Sequence, residues 1–202
     1  MGRMDRRGVA LGELTGVKVL LRFLRGPGIF PVVSRILCPP GKVRLTTNPS
    51  TTSPFYLCYL AAQAELGYRG FLSEKITVKS LLEQRGNSHH VYPREYLKRQ
   101  GLRPSVYNQV GNLVFMEQSI NIAIGQRAPA DYFASLRQQT DQGSQAPTAS
   151  LGGINERPEL LRNLRHNAIP SPLLEGEMPY PEFLTARRKM MAALIRDWYA
   201  GL

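Results

Sequence analysis

"SHHVYPREYLKRQGLRPSVYNQVGNLVFMEQSINIAI", residues 88 to 124, is the stretch from which the rest of the chain is read. The 202 residues contain three histidines, and two of them, His89 and His90, stand side by side here with Pro93 three positions after the second. Short apolar runs broken by Pro, Gly and Asn exclude one long helix. They predict a strand over "SHHVY", a helical turn at "PREYLKRQ", a second strand over "NLVFM" and a helix over "EQSINIAIG". If the strands pair and the helix lies across them, Asn112 before the second strand and Asn121 in the helix converge with the histidines. Regular strand geometry sends adjacent side chains to opposite faces, so the two imidazoles serve one site only where the strand bends. Pro93 marks such a bend.

Working outward, the charge narrows the partners. Lys and Arg number 26 against 15 Asp and Glu, a formal net charge of +11, which favours a polyanion such as nucleic acid or an anionic membrane surface. Five cations, Arg94, Lys98, Arg99, Arg103 and Arg127, flank the histidine stretch and are the candidate contacts to a DNA backbone. Cys38 and Cys58 lack CxxC spacing, which excludes a four-thiolate zinc knuckle and argues against a disulfide framework, so a reducing cytoplasm is the expected location. The apolar run "VKVLLRFL" at 17 to 24 is interrupted by Lys18 and Arg22 and is shorter than the ~20 residues of a bilayer span. No membrane helix and no signal peptide are expected. A Gly-rich phosphate loop of the GxxxxGK[ST] or GxGxxG type is also missing, which argues against nucleotide hydrolysis by this chain.

The flanks organise around that centre. "MGRMDRRG" reads as a basic arm, a short amphipathic helix is expected from Leu14 to Leu24, and residues 38 to 54 read as a connection. Residues 1–44 thus form an arm and connecting segment. A helix is predicted from Ser53 as N-cap and Pro54 as first residue through "FYLCYLAAQAEL", with Phe55, Tyr59, Ala62 and Leu66 at helical spacing. "RGFLSEKITVKSLLEQRGNS" is mixed, a short helix or strand ending in a turn at 85–87. Another helix is expected from Pro129 over "PADYFASLRQQ", closing a core unit of 45–139. Residues 140–157 are expected to be a flexible linker with little packing, on the polar composition of "TDQGSQAPTASLGG". The segment 158–202 is expected to be helical and to pack on the core. Its last helix carries Leu184, Arg187, Met191, Leu194, Ile195, Trp198 and Leu202 on one face and Arg188, Lys189 and Arg196 largely elsewhere. The fold class is α+β, mostly helical.

The chemistry follows from residue types. Phosphodiester hydrolysis needs an activated water, a cation against the charge developing on phosphate, and geometry that aligns both. Neutral imidazole, with an ordinary pKa of about 6.5, is a good base near pH 7, and imidazole nitrogen or amide oxygen ligates a divalent ion. A His-His pair alone fits a surface accident, a metal site, or a base beside a ligand. Adding Pro93, Asn112 and Asn121 in this order favours the last. Glu117 is an outer partner of the site or an exposed carboxylate. His166, near a helix C-terminus, has no expected catalytic role, and Tyr92, Tyr96, Phe115 and Tyr132 are read as core.

"HHVYP" followed by "NLVFMEQSIN" resembles the HNH, or His-Me finger, nuclease signature in its Asn-ended form. "NPSTTSPFYLCYLAAQ", "NIAIGQRAPADYF" and "YPEFLTARRKMMAALIRDWY" resemble the C-terminal part of GmrSD-type modification-dependent restriction endonucleases, over most of 45 to 202. The resemblance implies a small ββα-metal core with flanking helices. It implies His90 as general base, Asn112 as the residue orienting it, and His89 and Asn121 as metal ligands. It also implies a metal-dependent DNA endonuclease of a restriction or phage-defence system, using Mg²⁺ or another divalent ion such as Mn²⁺, Co²⁺ or Ni²⁺. Such proteins usually carry a ParB-like nucleotide-hydrolysing domain ahead of the matching part, which here would come from a partner chain or have been lost. The alternative expectation is a catalytically inactive DNA-binding or assembly module, a truncated remnant of a larger restriction protein. A weaker one is a basic protein that meets anionic membranes through its last helix.

Overall fold

The computed structural model describes residues 53–84, 88–142, 150–176 and 178–201. The expected basic arm, the helix at 14 to 24, the connection from 38 to 52, the turn at 85–87 and the middle of the 140–157 segment lie outside the described residues.

Helix α1, Pro54–Glu65, begins at the expected proline, whose fixed φ suits the first turn. Ser53 precedes it but makes no side-chain cap; its hydroxyl is buried without a hydrogen-bond partner. Burial here is wider than the helical spacing of Phe55, Tyr59, Ala62 and Leu66 predicts. Tyr56, Cys58, Tyr59, Leu60, Ala61 and Ala62 are all buried, whereas Leu66 is exposed, because α1 is enclosed on most sides. The chain leaves α1 through Gly67 at positive φ and makes a single antiparallel bridge between Arg69 and Thr77. Thr77 then caps α2, Val78–Glu83, by accepting from the Ser80 amide.

Strand β1, Ser88–His90, pairs antiparallel with β2, Leu113–Phe115, in the register Ser88 with Phe115, His89 with Val114 and His90 with Leu113. Among the described residues this is the only sheet. The excursion between the strands carries α3, Arg94–Arg99, then α4, Pro104–Tyr107, and a tight 3-10 turn, Val110–Asn112. After β2 comes α5, Gln118–Ile124, so the order strand, excursion, strand, helix is the one read from the sequence. Ile120 and Ile124 turn the inner face of α5 into the same core as Val91, Val114 and Met116.

Helix α6, Pro129–Gln142, runs past the expected boundary at 139. The expectation of an unpacked linker fails at both described ends of that segment. Thr140 is buried on α6, and Leu151 and Ile154 join the core. Buried Gln139 fixes the return, accepting from the Leu151 amide at 2.8 Å and donating to the Ile154 carbonyl at 2.8 Å. Polar composition hid this because a glutamine that replaces backbone partners looks like any other solvated glutamine.

Helices α7, Arg157–His166, α8, Pro172–Glu175, and α9, Tyr180–Ala200, complete the described chain. Helix α8 packs on α6 and α9 packs on α1. Helix α9 buries Tyr180, Phe183, Leu184, Met191, Ile195 and Trp198, and each such side chain contributes about 1.5–3 kcal/mol when fully removed from water. That sum holds a less favourable passenger in place. Arg187, on the same face, is completely buried. The chain is therefore α+β and mostly helical, with no helix among the described residues long and apolar enough to cross a membrane.

Candidate functional site

The site is assembled from the inside outward. Arg187 Nη1 donates to the Gly111 carbonyl at 2.8 Å and Nη2 to the Leu113 carbonyl at 2.7 Å, gripping the backbone on both sides of Asn112. A buried cation without a carboxylate is tolerable only where dipoles surround it, and backbone carbonyls, including that of Asn167 at 3.4 Å, supply them here. Asn112, itself fully buried, accepts from the Tyr92 amide at 2.8 Å and donates to the carbonyls of Tyr92 at 3.1 Å and Tyr107 at 3.0 Å. The Val91 amide bonds the Asn112 carbonyl, and the Val91 carbonyl accepts from the Tyr132 hydroxyl at 2.8 Å. Every polar backbone atom of residues 91 and 92 is thus tied down immediately after His90.

The Asn112 side chain bonds residues 92 and 107, whereas the side chain that meets the His90 ring is that of Asn108. Asn108 Oδ1 lies 3.0 Å from His90 Nε2, and the Tyr107 ring stands edge-on to the imidazole at a centroid distance of 6.5 Å. No sequence signal had singled out Asn108, eighteen residues from His90 along a path that only the folded excursion defines.

His89, His90, Asn121, Ser88, Pro93, Arg94 and Glu95 line one open cleft of about 370 Å³ together with Ile124 and Gly125. Three of the four residues expected to converge do so; Asn112 lies beneath them as scaffold. Both histidines reach the cleft because β1 ends at His90 and the chain turns at Pro93. Burial lowers the pKa of His89, and the neighbouring His90 lowers it further. Burial also lowers that of His90, opposed by the Asn108 hydrogen bond and reinforced by Arg94. Both rings are consequently neutral at pH 7, the form that accepts protons and binds metals.

The five expected DNA contacts divide. Arg94 lines the cleft and pairs with Glu95 at 3.1 Å, and Lys98 reaches the same carboxylate at 3.1 Å. Arg99 is exposed but bonded to the Gln126 side chain and carbonyl. Arg103 is exposed, with no hydrogen bond or ion pair to its side chain among the described residues. Arg127 is turned inward, donating to the Ala123 and Ile124 carbonyls at the C-terminus of α5 and to Ser135. Glu117 accepts from the Ser73 hydroxyl at 2.7 Å, which ties α5 to the 70–73 loop. His166 stacks flat on Tyr68 at 3.8 Å, apart from the cleft lining. Tyr92, Phe115 and Tyr132 are core as expected, and Tyr96 packs against the core partly buried. Glu95 is the cleft group that sequence reading passed over. Its carboxyl stays below the usual range through hydrogen bonding to Lys98 and Arg94.

Among the described residues no three His, Cys, Asp or Glu side chains gather as a metal-ligand cluster. The donors at the cleft do fit a divalent ion in kind, since His89 offers a neutral imidazole and Asn121 an amide oxygen, leaving further positions to water and substrate oxygens. Compared with models of known families, with curated proteins and with solved structures, the chain has no match in any of the three.

Proposed function

We propose that the chain is a metal-dependent DNA endonuclease whose β1, β2 and α5 form an HNH-type ββα-metal core. The observation that carries this reading is the gathering of His89, His90 and Asn121 around one open cleft whose rim bears Arg94. In this reading a ring nitrogen of His90 takes the proton from an attacking water, a role its neutrality near pH 7 favours. Arg94 sits where it opposes the charge of the scissile phosphate, and Lys98 and Arg103 on the excursion meet the flanking backbone. His89 and Asn121 would hold a divalent ion, Mg²⁺ or a softer relative, which when bound supplies neutralisation of phosphate and leaving-oxygen charge. Asn112 keeps the His90 backbone in register with these groups. A role in modification-dependent restriction, with a separate ParB-like nucleotide-hydrolysing subunit, extends the same resemblance.

One feature favours a second reading, a catalytically inactive DNA-binding module. The ligand pair implied at the cleft has no carboxylate, and a hard ion is held more weakly by neutral donors. Cleavage of plain and hydroxymethylcytosine-containing plasmid with Mg²⁺, Mn²⁺ or Ni²⁺ separates the two. Metal-dependent cutting should fall at least about 100-fold in His90→Ala, the usual scale for a lost general base, with DNA affinity retained. Asn121→Ala should raise the metal concentration needed for half-maximal cutting. Salt-dependent DNA binding without cutting in any of these ions supports the second reading.

A further inference from the structure

We propose that Asn108 is a positioning residue for His90: its amide oxygen accepts a hydrogen bond from Nε2–H and so fixes the tautomer in which Nδ1 carries the free lone pair. The inference rests on the reading of His90 as general base and adds which ring atom does the work. A neutral imidazole has one donor and one acceptor nitrogen, and the partner of one decides the character of the other. Asn108 Oδ1 at 3.0 Å from Nε2 is that partner.

The contact is built on both sides. Asn108 ends α4, where its amide bonds the Pro104 carbonyl at 2.9 Å. The preceding Tyr107 carbonyl is held by Asn112 at 3.0 Å and by the Tyr180 hydroxyl at 3.3 Å. On the other side Asn112 holds Tyr92, two residues past His90. One buried side chain thus clamps the neighbours of both members of the pair, so the His90 to Asn108 distance follows from Asn112. The Tyr107 ring stands edge-on to the same imidazole. A base that rotates or changes tautomer presents N–H rather than a lone pair to water, which removes its function without removing the residue.

The test reads the ring directly. In metal-free protein labelled with ¹⁵N-histidine, at a pH where the imidazoles are neutral, long-range proton–nitrogen correlation distinguishes protonated from bare ring nitrogens. His90 is assigned by comparison with His90→Ala. Wild type should show a protonated Nε2 with a slowly exchanging proton. Asn108→Ala should lose that protection, and the isosteric Asn108→Asp, which keeps an acceptor and carries the test if the alanine variant does not fold, should retain it. With DNA and Mn²⁺, Asn108→Ala should lower kcat about 10-fold at nearly unchanged KM, and Asn108→Asp should recover part of it. A protonated Nδ1 in wild type overturns the pairing, since the amide would then present Nδ2. Wild-type kcat in Asn108→Ala overturns the positioning role. If no form cuts DNA while the nitrogen pattern is as expected, the nuclease reading fails and the pairing stands.

Discussion

Two irregular stretches of this molecule are held by the same device and put to different use. In one, buried Asn112 replaces backbone partners for Tyr92 and Tyr107 and so fixes the excursion between β1 and β2. In the other, buried Asn163 accepts from the Leu72 amide at 2.9 Å and donates to the carbonyls of Gly70 and Ser73, while Asn167 donates to the Arg69 carbonyl. The second clip also sustains strain, for Leu72 sits at a φ of 60°, a region that β-carbons disfavour. On the Asn163 side, Phe71 and Leu72 are buried in one core with Leu151 and Ile154. Around Asn112 the clip ends at a cleft lined by imidazoles. A buried asparagine therefore identifies backbone that must not move, and only its surroundings tell whether the rigidity serves packing or a site.

The sharpest way to break this comparison is to remove each clip. Asn112→Ala and Asn163→Ala should each cost about 2–4 kcal/mol in urea unfolding, because each leaves buried amide and carbonyl groups unpaired. They should part company at the cleft. The ¹⁵N signals of His89 and His90 should shift in Asn112→Ala and stay in place in Asn163→Ala. Equal disturbance of the imidazoles by both would mean that the two regions are one cooperative unit.

Gly152→Ala probes the packed side alone. A β-carbon there would meet the Leu72 carbonyl oxygen at 2.0 Å, and the glycine φ of 75° is itself unfavourable for alanine. A loss of roughly 2–3 kcal/mol is expected, with the histidine signals again unmoved. If the variant is as stable as wild type, the close seat of residue 152 on the Leu72 loop is wrong.

The smallest effect is on acid stability. His89, His90 and His166 all have folded-state pKa values below the ordinary 6.5, chiefly through burial. In the window between the lowered values and 6.5 the unfolded chain binds more protons than the folded one, so stability falls as pH drops through it. Replacing His89 and His90 by Gln should flatten that decline, whereas His166→Gln, on the Asn163 side, should flatten it less. Thermal unfolding followed from pH 7.5 to 5 measures both.

Much of this was legible in the sequence because it is local. Pro54, Pro129 and the apolar runs near 91 and 114 announce their helices and strands through residues a few positions apart. The convergence of His89, His90 and Asn121 was readable from element order. Position 187 was even placed on the buried face of the last helix, but nothing in that face reveals a guanidinium whose partners are carbonyls some 76 positions earlier. Asn108, Asn163 and Gln139 stayed unread for the same reason. Each acts on backbone or a ring brought close by the completed fold, and a polar side chain carries no local mark of having a distant partner. The burial of Leu151 and Ile154 in the polar segment after α6 is hidden in the same way.

The distance between Arg187 and Gly111 has a consequence in time. A ribosome adding about 5–20 residues per second reaches Arg187 some 4–15 s after it has made Gly111. During that interval a nascent chain carries both cleft histidines but lacks the side chain that grips the backbone on either side of Asn112. The backbone on either side of Asn112 therefore gains this grip only once the last described helix has been translated and docked.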